Sequence, residues 1–196
     1  EVYEHIVYAP YKHIYMQSLE GMRERTIVCN SLSKTYSITG WRLGYVIANP
    51  QIIDRVKKVH DFLTVGAAAP LMEAAVVGLE FGDGYYDELA AHYAHMKEVF
   101  VGGLKKLGLK YTDPQGAYYV LVDVSEFGVK DDVKFCEWMA QFVGVAAVPG
   151  SSFFREDVHN LVRFHFAKQD DTLNEAIKRL ATLKEKAMNA KNVDWR

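Results

Sequence analysis

A lysine and an arginine lie eight positions apart, at Lys34 and Arg42, in a segment otherwise rich in hydroxyl-bearing residues and glycines. Ser31 and Ser33 precede Arg42 in this segment, and their hydroxyls together with main-chain N–H groups could close around a phosphate. Arg42 could bind the same phosphate through two parallel hydrogen bonds. Burial and a nearby cation would lower the pKa of Lys34 and free its amine to attack a carbonyl. The segment therefore indicates a site for an aldehyde that carries a phosphate.

Both charges also have a plainer interpretation. Lys34 could be a solvated loop lysine, and Arg42 could be a surface arginine at the start of a strand. Their position between two apolar, β-branched segments favours the chemical interpretation, because α/β proteins place their binding sites at the ends of strands.

A third candidate is Arg163, which lies in a segment of alternating polarity. One face of the predicted strand is formed by Val162, Phe164 and Phe166, and the other by Leu161, Arg163, His165 and Ala167. Arg163 then either lies on a solvated face or binds a substrate carboxylate in a bidentate manner. Tyr3 could donate a hydrogen bond to a cofactor oxygen.

No metal site is expected. His92 and His95, three residues apart, are more typical of the polar face of a helix than of metal ligands, and no cysteine accompanies them. The sequence also contains no glycine-rich dinucleotide motif, phosphate-binding P-loop or serine-nucleophile motif.

The composition narrows the class of protein. The 196 residues are 49% apolar and 24% charged, with a net charge of −2, which predicts a globular protein and no nucleic-acid partner. No segment approaches the roughly 20 apolar residues of a membrane span, so no membrane partner is expected. Cys29 and Cys136 are predicted to be buried, reduced thiols, which is typical of a cytoplasmic protein.

Several elements must position these residues. Strands are predicted at 26–30 and 43–48, on either side of the lysine-containing segment. Helices are predicted at 50–63, 70–81 and 85–107, the first beginning at the N-cap Asn49 and the last closed by Gly108. The first helix should bury a stripe formed by Ile52, Ile53, Val56, Val59 and Phe62, and the second should be well buried.

The sequence pattern of the second half of the chain predicts a compact α+β unit. Its predicted elements are strands at 116–123, 145–148 and 161–167, a helix from Asp131 or Asp132 to 142, and a terminal helix from Asp170 or Asp171. Residues 189–196 are expected to fray.

The lysine-containing segment resembles a known signature. Ser31-Leu32-Ser33-Lys34-x-x-Ser37-Ile38-x-Gly40-x-Arg42-Leu43-Gly44 matches, at every constrained position, the pyridoxal-phosphate attachment motif of the class I and II aminotransferases, which have fold type I. Glu1-Val2-Tyr3 resembles the end of the family's Asp-x-x-Tyr element, 115–119 its small-domain strand, and 160–167 its carboxylate-binding segment. The resemblance covers nearly the whole chain.

The resemblance implies a role for each candidate residue, with pyridoxal 5′-phosphate as cofactor. Lys34 would be the catalytic residue, which attaches the cofactor as an imine and then moves the proton between the substrate Cα and the cofactor. Arg42, Ser31 and Ser33 would hold the phosphate, and Tyr3 would bond the ring hydroxyl oxygen. Arg163 would bind the substrate α-carboxylate.

The same resemblance implies the fold and the reaction. Residues 1–84 would be the C-terminal part of the large domain of an α/β fold, and residues 85–196 the small α+β domain. The parent protein would be a homodimer that exchanges an amino group between an amino acid and a 2-oxo acid. The family's aspartate partner of the pyridine nitrogen would precede Glu1, so the chain resembles the C-terminal half of an aminotransferase and is expected to be inactive alone.

Two alternatives remain open at this point. A pyridoxal-phosphate-dependent carbon–sulfur lyase, or a related enzyme of the same fold, would reuse Lys34, Arg42 and Arg163, and its products would be ammonia and pyruvate. A noncatalytic binding or dimerisation module could also retain this half of the fold, and it would not form an imine with the cofactor.

Overall fold

In the computed structural model, which describes residues 1–196, two short antiparallel strands flank the lysine-containing segment. β1 (Val28–Ser31) pairs with β2 (Gly44–Ile47). Both strands were predicted. β1 begins two residues later and ends one residue later than predicted, and β2 is one residue shorter at each end. The connection between them contains a 3-10 turn at Thr39–Trp41, so the lysine and the arginine lie in a tight loop at one end of this pair.

Helix α1 (Pro50–Leu63) has the predicted bounds but not the predicted burial. Asn49 caps it by accepting a hydrogen bond from the main-chain N–H of Gln51 at 3.0 Å. The apolar stripe was expected to be buried, and this expectation is wrong: Phe62 is 94% and Val59 is 59% exposed. Periodicity places these side chains on one face of the helix, but no other part of the chain covers that face.

Helix α2 (Ala69–Leu79) was also expected to be well buried, and this too is wrong. Only Ala75 and Gly78 are buried, whereas Val77 is 61% exposed and Leu79 is 55% exposed. A helix that is apolar all round predicts burial only when other surfaces surround it.

Helix α3 (Asp83–Lys106) ends as predicted. Gly108 has a φ of +65°, and the main-chain N–H of Leu109 donates to the carbonyl of Leu104 at 3.2 Å, which is a Schellman-type ending. The chain divides into two compact units, residues 1–90 and residues 91–196, and the division falls within this helix.

The second unit contains a four-stranded antiparallel sheet. Its strands are β3 (Lys110–Tyr111), β4 (Tyr119–Asp123), β5 (Val148–Pro149) and β6 (Leu161–His165), and their order across the sheet is β3-β4-β6-β5. Val162 and Phe164 of β6 are buried, and Arg163 lies on the opposite face, as the alternation predicted. The two-residue strand β3 was not predicted, because it is too short to show a period.

Helices pack against this sheet. α4 (Asp132–Trp138) is capped by Asp131, whose carboxylate accepts from the main-chain N–H of Lys134 at 3.0 Å, and it continues as a π-helical turn at Met139–Val143. α5 (Asp170–Leu180) and α6 (Leu183–Asn189) follow β6.

The C-terminal residues are ordered by Trp195, so the expectation that they fray is wrong. The indole of Trp195 is completely buried, with its ring centre 5.0 Å from that of Phe135 and 5.4 Å from that of Trp138. Arg196 donates to the carbonyl of Ala187 at 2.6 Å. The tail therefore closes over the core of the second unit.

The two cysteines differ in environment. Cys136 is buried as predicted, and burial raises the pKa of its thiol to about 12. Cys29 is exposed, contrary to the prediction, because it points to the uncovered face of β1. Both thiols are free. None of the helices combines the length and apolar character that crossing a membrane requires.

Candidate active site around Lys34

Two serine hydroxyls are hydrogen-bonded to each other at the start of the loop that contains the lysine. Ser31 is the last residue of β1, and its hydroxyl donates to the Oγ of Ser33 at 2.7 Å. The main-chain N–H of Ser33 donates back to the Oγ of Ser31 at 3.2 Å, and Ser33 is buried. The structure thus brings together the two predicted phosphate-binding hydroxyls at the end of a strand.

The two cations of the loop converge on Thr39. The amine of Lys34 lies 3.5 Å from the hydroxyl of Thr39, and the Nη1 of Arg42 donates to the main-chain carbonyl of the same residue at 2.8 Å. The Thr39 hydroxyl in turn donates to the carbonyl of Ser33 at 3.3 Å. Sequence reasoning missed Thr39, whose only signal was a hydroxyl between the two cations.

The charges of Lys34 and Arg42 are not compensated. Neither side chain forms an ion pair with an aspartate or glutamate of the chain. Arg42 has a φ of +57°, a conformation that is uncommon for residues other than glycine. Two free cations beside two hydroxyls suit a phosphate-bearing aldehyde, because the phosphate would neutralise the site and the amine could react with the carbonyl.

Aromatic residues anchor the main chain next to Lys34. The hydroxyl of Tyr85 donates to the carbonyl of Thr35 at 2.7 Å, and the hydroxyls of Tyr36 and Tyr86 lie 2.9 Å apart. Burial, followed by the hydrogen bond with Tyr86, raises the pKa of Tyr36 above its ordinary value. These contacts fix the two residues that follow the lysine.

Tyr3 lies in a turn that is tied to β1. It is half-buried, and its main-chain carbonyl accepts from the N–H of Ile6 at 2.8 Å. The side-chain amide of Asn30 donates to the carboxylate of Glu4 at 2.7 Å, which joins this turn to the residue that precedes Ser31.

Arg163 belongs to the second unit and lies on β6, opposite Leu121 of β4 and Val148 of β5. The residue is half-buried, and its guanidinium forms no hydrogen bond or ion pair with the chain. A guanidinium with this environment suits a ligand carboxylate.

Comparison with known proteins identifies relatives of the chain. The profile of the family described as aminotransferase class I and II matches residues 1–180. The methionine aminotransferase of Escherichia coli is 36% identical over 184 residues, which are 93% of this chain and 48% of that protein.

Solved structures give the same result. The N-succinyldiaminopimelate aminotransferase of Mycobacterium tuberculosis superimposes with a TM-score of 0.87 at 34% identity, covering 93% of this chain and 48% of that one. The aromatic aminotransferase of Pyrococcus horikoshii superimposes with a TM-score of 0.88 at 34% identity, covering 95% of this chain and 50% of that one. The chain therefore has the α/β fold of these enzymes and spans about half of their length.

Proposed function

The chain belongs to the class I and II aminotransferase family, and on this premise we propose that the polypeptide containing it catalyses pyridoxal-phosphate-dependent exchange of an amino group between an amino acid and a 2-oxo acid. The observation that carries this proposal is the convergence of Lys34 and Arg42 on Thr39 beside the paired hydroxyls of Ser31 and Ser33. The relatives described above are named for different amino-acid substrates, so the proposal is made for the reaction class.

Pyridoxal phosphate fits the donors that the chain presents. Ser31, Ser33 and Arg42 would hold its phosphate, since together they offer two hydroxyls and an uncompensated guanidinium. Lys34 would attach it, and Tyr3 would bond its ring hydroxyl oxygen. When bound, the cofactor supplies an aldehyde and an aromatic ring that accepts electrons from the substrate.

The chain's own residues would orient the substrate and move its proton. Arg163 would bind the α-carboxylate through two parallel hydrogen bonds and so fix the direction of the Cα–H bond. The Nζ of Lys34 would take the proton from Cα of the amino acid as a general base, and in the other half of the exchange it would deliver a proton to Cα of the 2-oxo acid as a general acid. Its hydrogen-bond partner in this structure, the hydroxyl of Thr39, gives the amine a defined resting position.

We also propose the domain organisation, assembly and location of the whole protein. Residues 1–84 would be the C-terminal part of the large domain, and residues 85–196 the small domain. The uncovered apolar side chains of α1 and α2 support assembly into a homodimer, because soluble proteins seldom leave such surfaces exposed. The two free thiols support a cytoplasmic location.

The experiment is an absorbance titration of the chain with pyridoxal phosphate, followed by borohydride reduction and peptide mass analysis. We expect the cofactor to be attached at Lys34 and the attachment to be lost in Lys34→Ala. Lys57→Ala, which removes an exposed lysine of α1, should bind normally. Attachment at other lysines with no preference for Lys34 would contradict the assignment.

Product analysis of the longer polypeptide then tests the reaction. We expect amino-group exchange with a 2-oxo acid. Release of ammonia and pyruvate would instead identify a lyase, and cofactor-independent behaviour would identify a noncatalytic module.

A further inference from the structure

The guanidinium of Arg163 rests on two aromatic rings. Its Cζ lies 3.6 Å from the ring centre of Phe153 and 4.2 Å from that of Tyr119. Both distances are within the range in which a cation is attracted by the negative face of an aromatic ring. These are the contacts that hold the side chain, because it makes no hydrogen bond or ion pair with the chain.

Holding a guanidinium by aromatic rings differs from holding it by a carboxylate. An aspartate or glutamate partner would occupy N–H donors and neutralise the charge. Contacts with aromatic faces leave the five N–H donors uncommitted and the charge intact. Arg163 is therefore restrained and still able to bind an anion.

Phe153 is brought to this position by the turn that precedes β6. It ends a 3-10 turn, Gly150–Phe153, that packs directly on Leu161, since a Cβ at Gly150 would lie 2.5 Å from the Leu161 carbonyl oxygen. The main-chain N–H of Ser151 donates to the buried carboxylate of Asp132 at 2.7 Å. The turn is thus fixed at both of its first residues.

Tyr119 is placed by the register of the sheet. It pairs with His165, while Arg163 pairs with Leu121, so Tyr119 and Arg163 are diagonal neighbours on one face of β4 and β6. Tyr119 is also in contact with the ring of Tyr118, at a centre-to-centre distance of 4.7 Å. A strand and a turn from different parts of the chain converge on one guanidinium.

We propose that Phe153 and Tyr119 are positioning residues for the substrate carboxylate, an assignment that rests on the aminotransferase activity proposed above. Their rings hold the guanidinium of Arg163 in place and leave its N–H donors free for the α-carboxylate of the amino acid and for the matching carboxylate of the 2-oxo acid. The same two rings therefore serve both halves of the exchange.

Steady-state kinetics of the longer polypeptide with its cofactor test this assignment. Phe153→Leu keeps the apolar volume and removes the aromatic face, and we expect KM for both substrates to rise about 3- to 30-fold, with a smaller change in kcat. Phe153→Trp restores a ring and should restore KM. Phe154→Leu is the matched control, because it is the same substitution one residue away, at a ring that makes no cation–π contact with Arg163.

A second measurement, by NMR, detects the contact between Arg163 and Phe153 without cofactor or turnover. The Nε–Hε signal of Arg163, assigned by its loss in Arg163→Lys, should be shifted upfield by the ring currents and should move downfield in Phe153→Leu. Pyruvate should shift this signal, and its methyl ester, which lacks the carboxylate, should not.

Each outcome has a distinct meaning. If Phe153→Leu changes neither KM nor the Arg163 signal more than Phe154→Leu does, the assignment is overturned. If pyruvate binds through Arg163 and Phe153 but no amino-group exchange occurs, the positioning role stands and the proposed reaction fails. If exchange occurs and kcat falls with KM unchanged, the positioning role is overturned alone.

Discussion

The hydroxyl of Thr39 lies 3.5 Å from the amine of Lys34 and is the single hydrogen-bond partner of that amine in the chain. Thr39→Val keeps the shape of the side chain and removes the hydroxyl, so the amine loses its resting contact. Because attachment of the cofactor has to break this resting contact, we expect cofactor affinity to rise about 2- to 12-fold, the value of one ordinary hydrogen bond. An absorbance titration measures the change, and Thr39→Ser, which keeps the hydroxyl, is the control. Equal affinity in all three proteins would show that the contact has no role.

Two adjacent glycines of α3 should respond in opposite directions to alanine. A Cβ at Gly103 would lie 2.5 Å from Ile177 Cδ1 and 2.9 Å from its Cγ2, whereas at Gly102 it would meet nothing within 4 Å. Gly103→Ala should lower the free energy of unfolding, because overpacking costs about 1–3 kcal/mol and exceeds the helix-propensity gain. Gly102→Ala should raise it by up to about 1 kcal/mol. Urea unfolding measures both, and a stabilised Gly103→Ala would contradict the packing.

The contact between His159 and Asp132 should make stability depend on pH. The Nδ1 of His159 lies 3.1 Å from the buried carboxylate of Asp132, and Nε2 lies 2.7 Å from that of Asp157. Hydrogen bonds to Asp132 and then Asp157 raise the pKa of His159. Although burial opposes it, hydrogen bonds from Ser151 and His159 lower the pKa of Asp132.

The directions of these two pKa shifts define the pH range in which the contact stabilises the fold. A raised histidine pKa contributes stability that is complete below its unfolded value, about 6.5, and is lost as pH rises through the folded value. The lowered carboxyl pKa contributes stability that is complete above about 4 and is lost as pH falls through the folded value. His159→Gln should therefore lower Tm at pH 5 to 6 and have a smaller effect at pH 9. His92→Gln, an exposed histidine without a carboxylate partner, should show no such difference; an equal loss at both pH values in His159→Gln would contradict the prediction.

Trp195 should contribute substantially to the stability of the second unit. Because its indole is completely buried against Phe135 and Trp138, Trp195→Ala should lower the free energy of unfolding by about 3–5 kcal/mol. Met188→Ala, which truncates a side chain that is 58% exposed, should change it by less than about 0.5 kcal/mol. Denaturant unfolding followed by far-UV circular dichroism measures the free energy of unfolding of both variants. Similar unfolding midpoints for the two variants would contradict the observed packing.

Local features of this fold were predictable because their causes are local. The start of α1 follows from the side chain of Asn49 and the ring of Pro50, and the end of α3 follows from the positive φ of Gly108. The orientation of Arg163 follows from strict alternation along β6. The placement of Ser31, Ser33, Lys34 and Arg42 in one loop follows from two flanking strands that pair.

Other features depend on how parts of the chain that are distant in sequence pack against one another. The stripe that ends at Phe62 could be assigned to one face of α1, but its exposure depends on what covers that face. Trp195 is a lone aromatic in a polar tail, so no period indicated its burial. The approach of Phe153 to Arg163 depends on the turn at Gly150, which carries no signal of the strand it packs against.

The contrast between the two thiols provides a ready-made chemical handle. Cys136 is buried, and its pKa of about 12 keeps it unreactive at neutral pH. Cys29 is exposed on β1, two residues before Ser31. A maleimide dye would therefore label one position without any mutation, and its fluorescence would report directly on a ligand that enters the neighbouring loop.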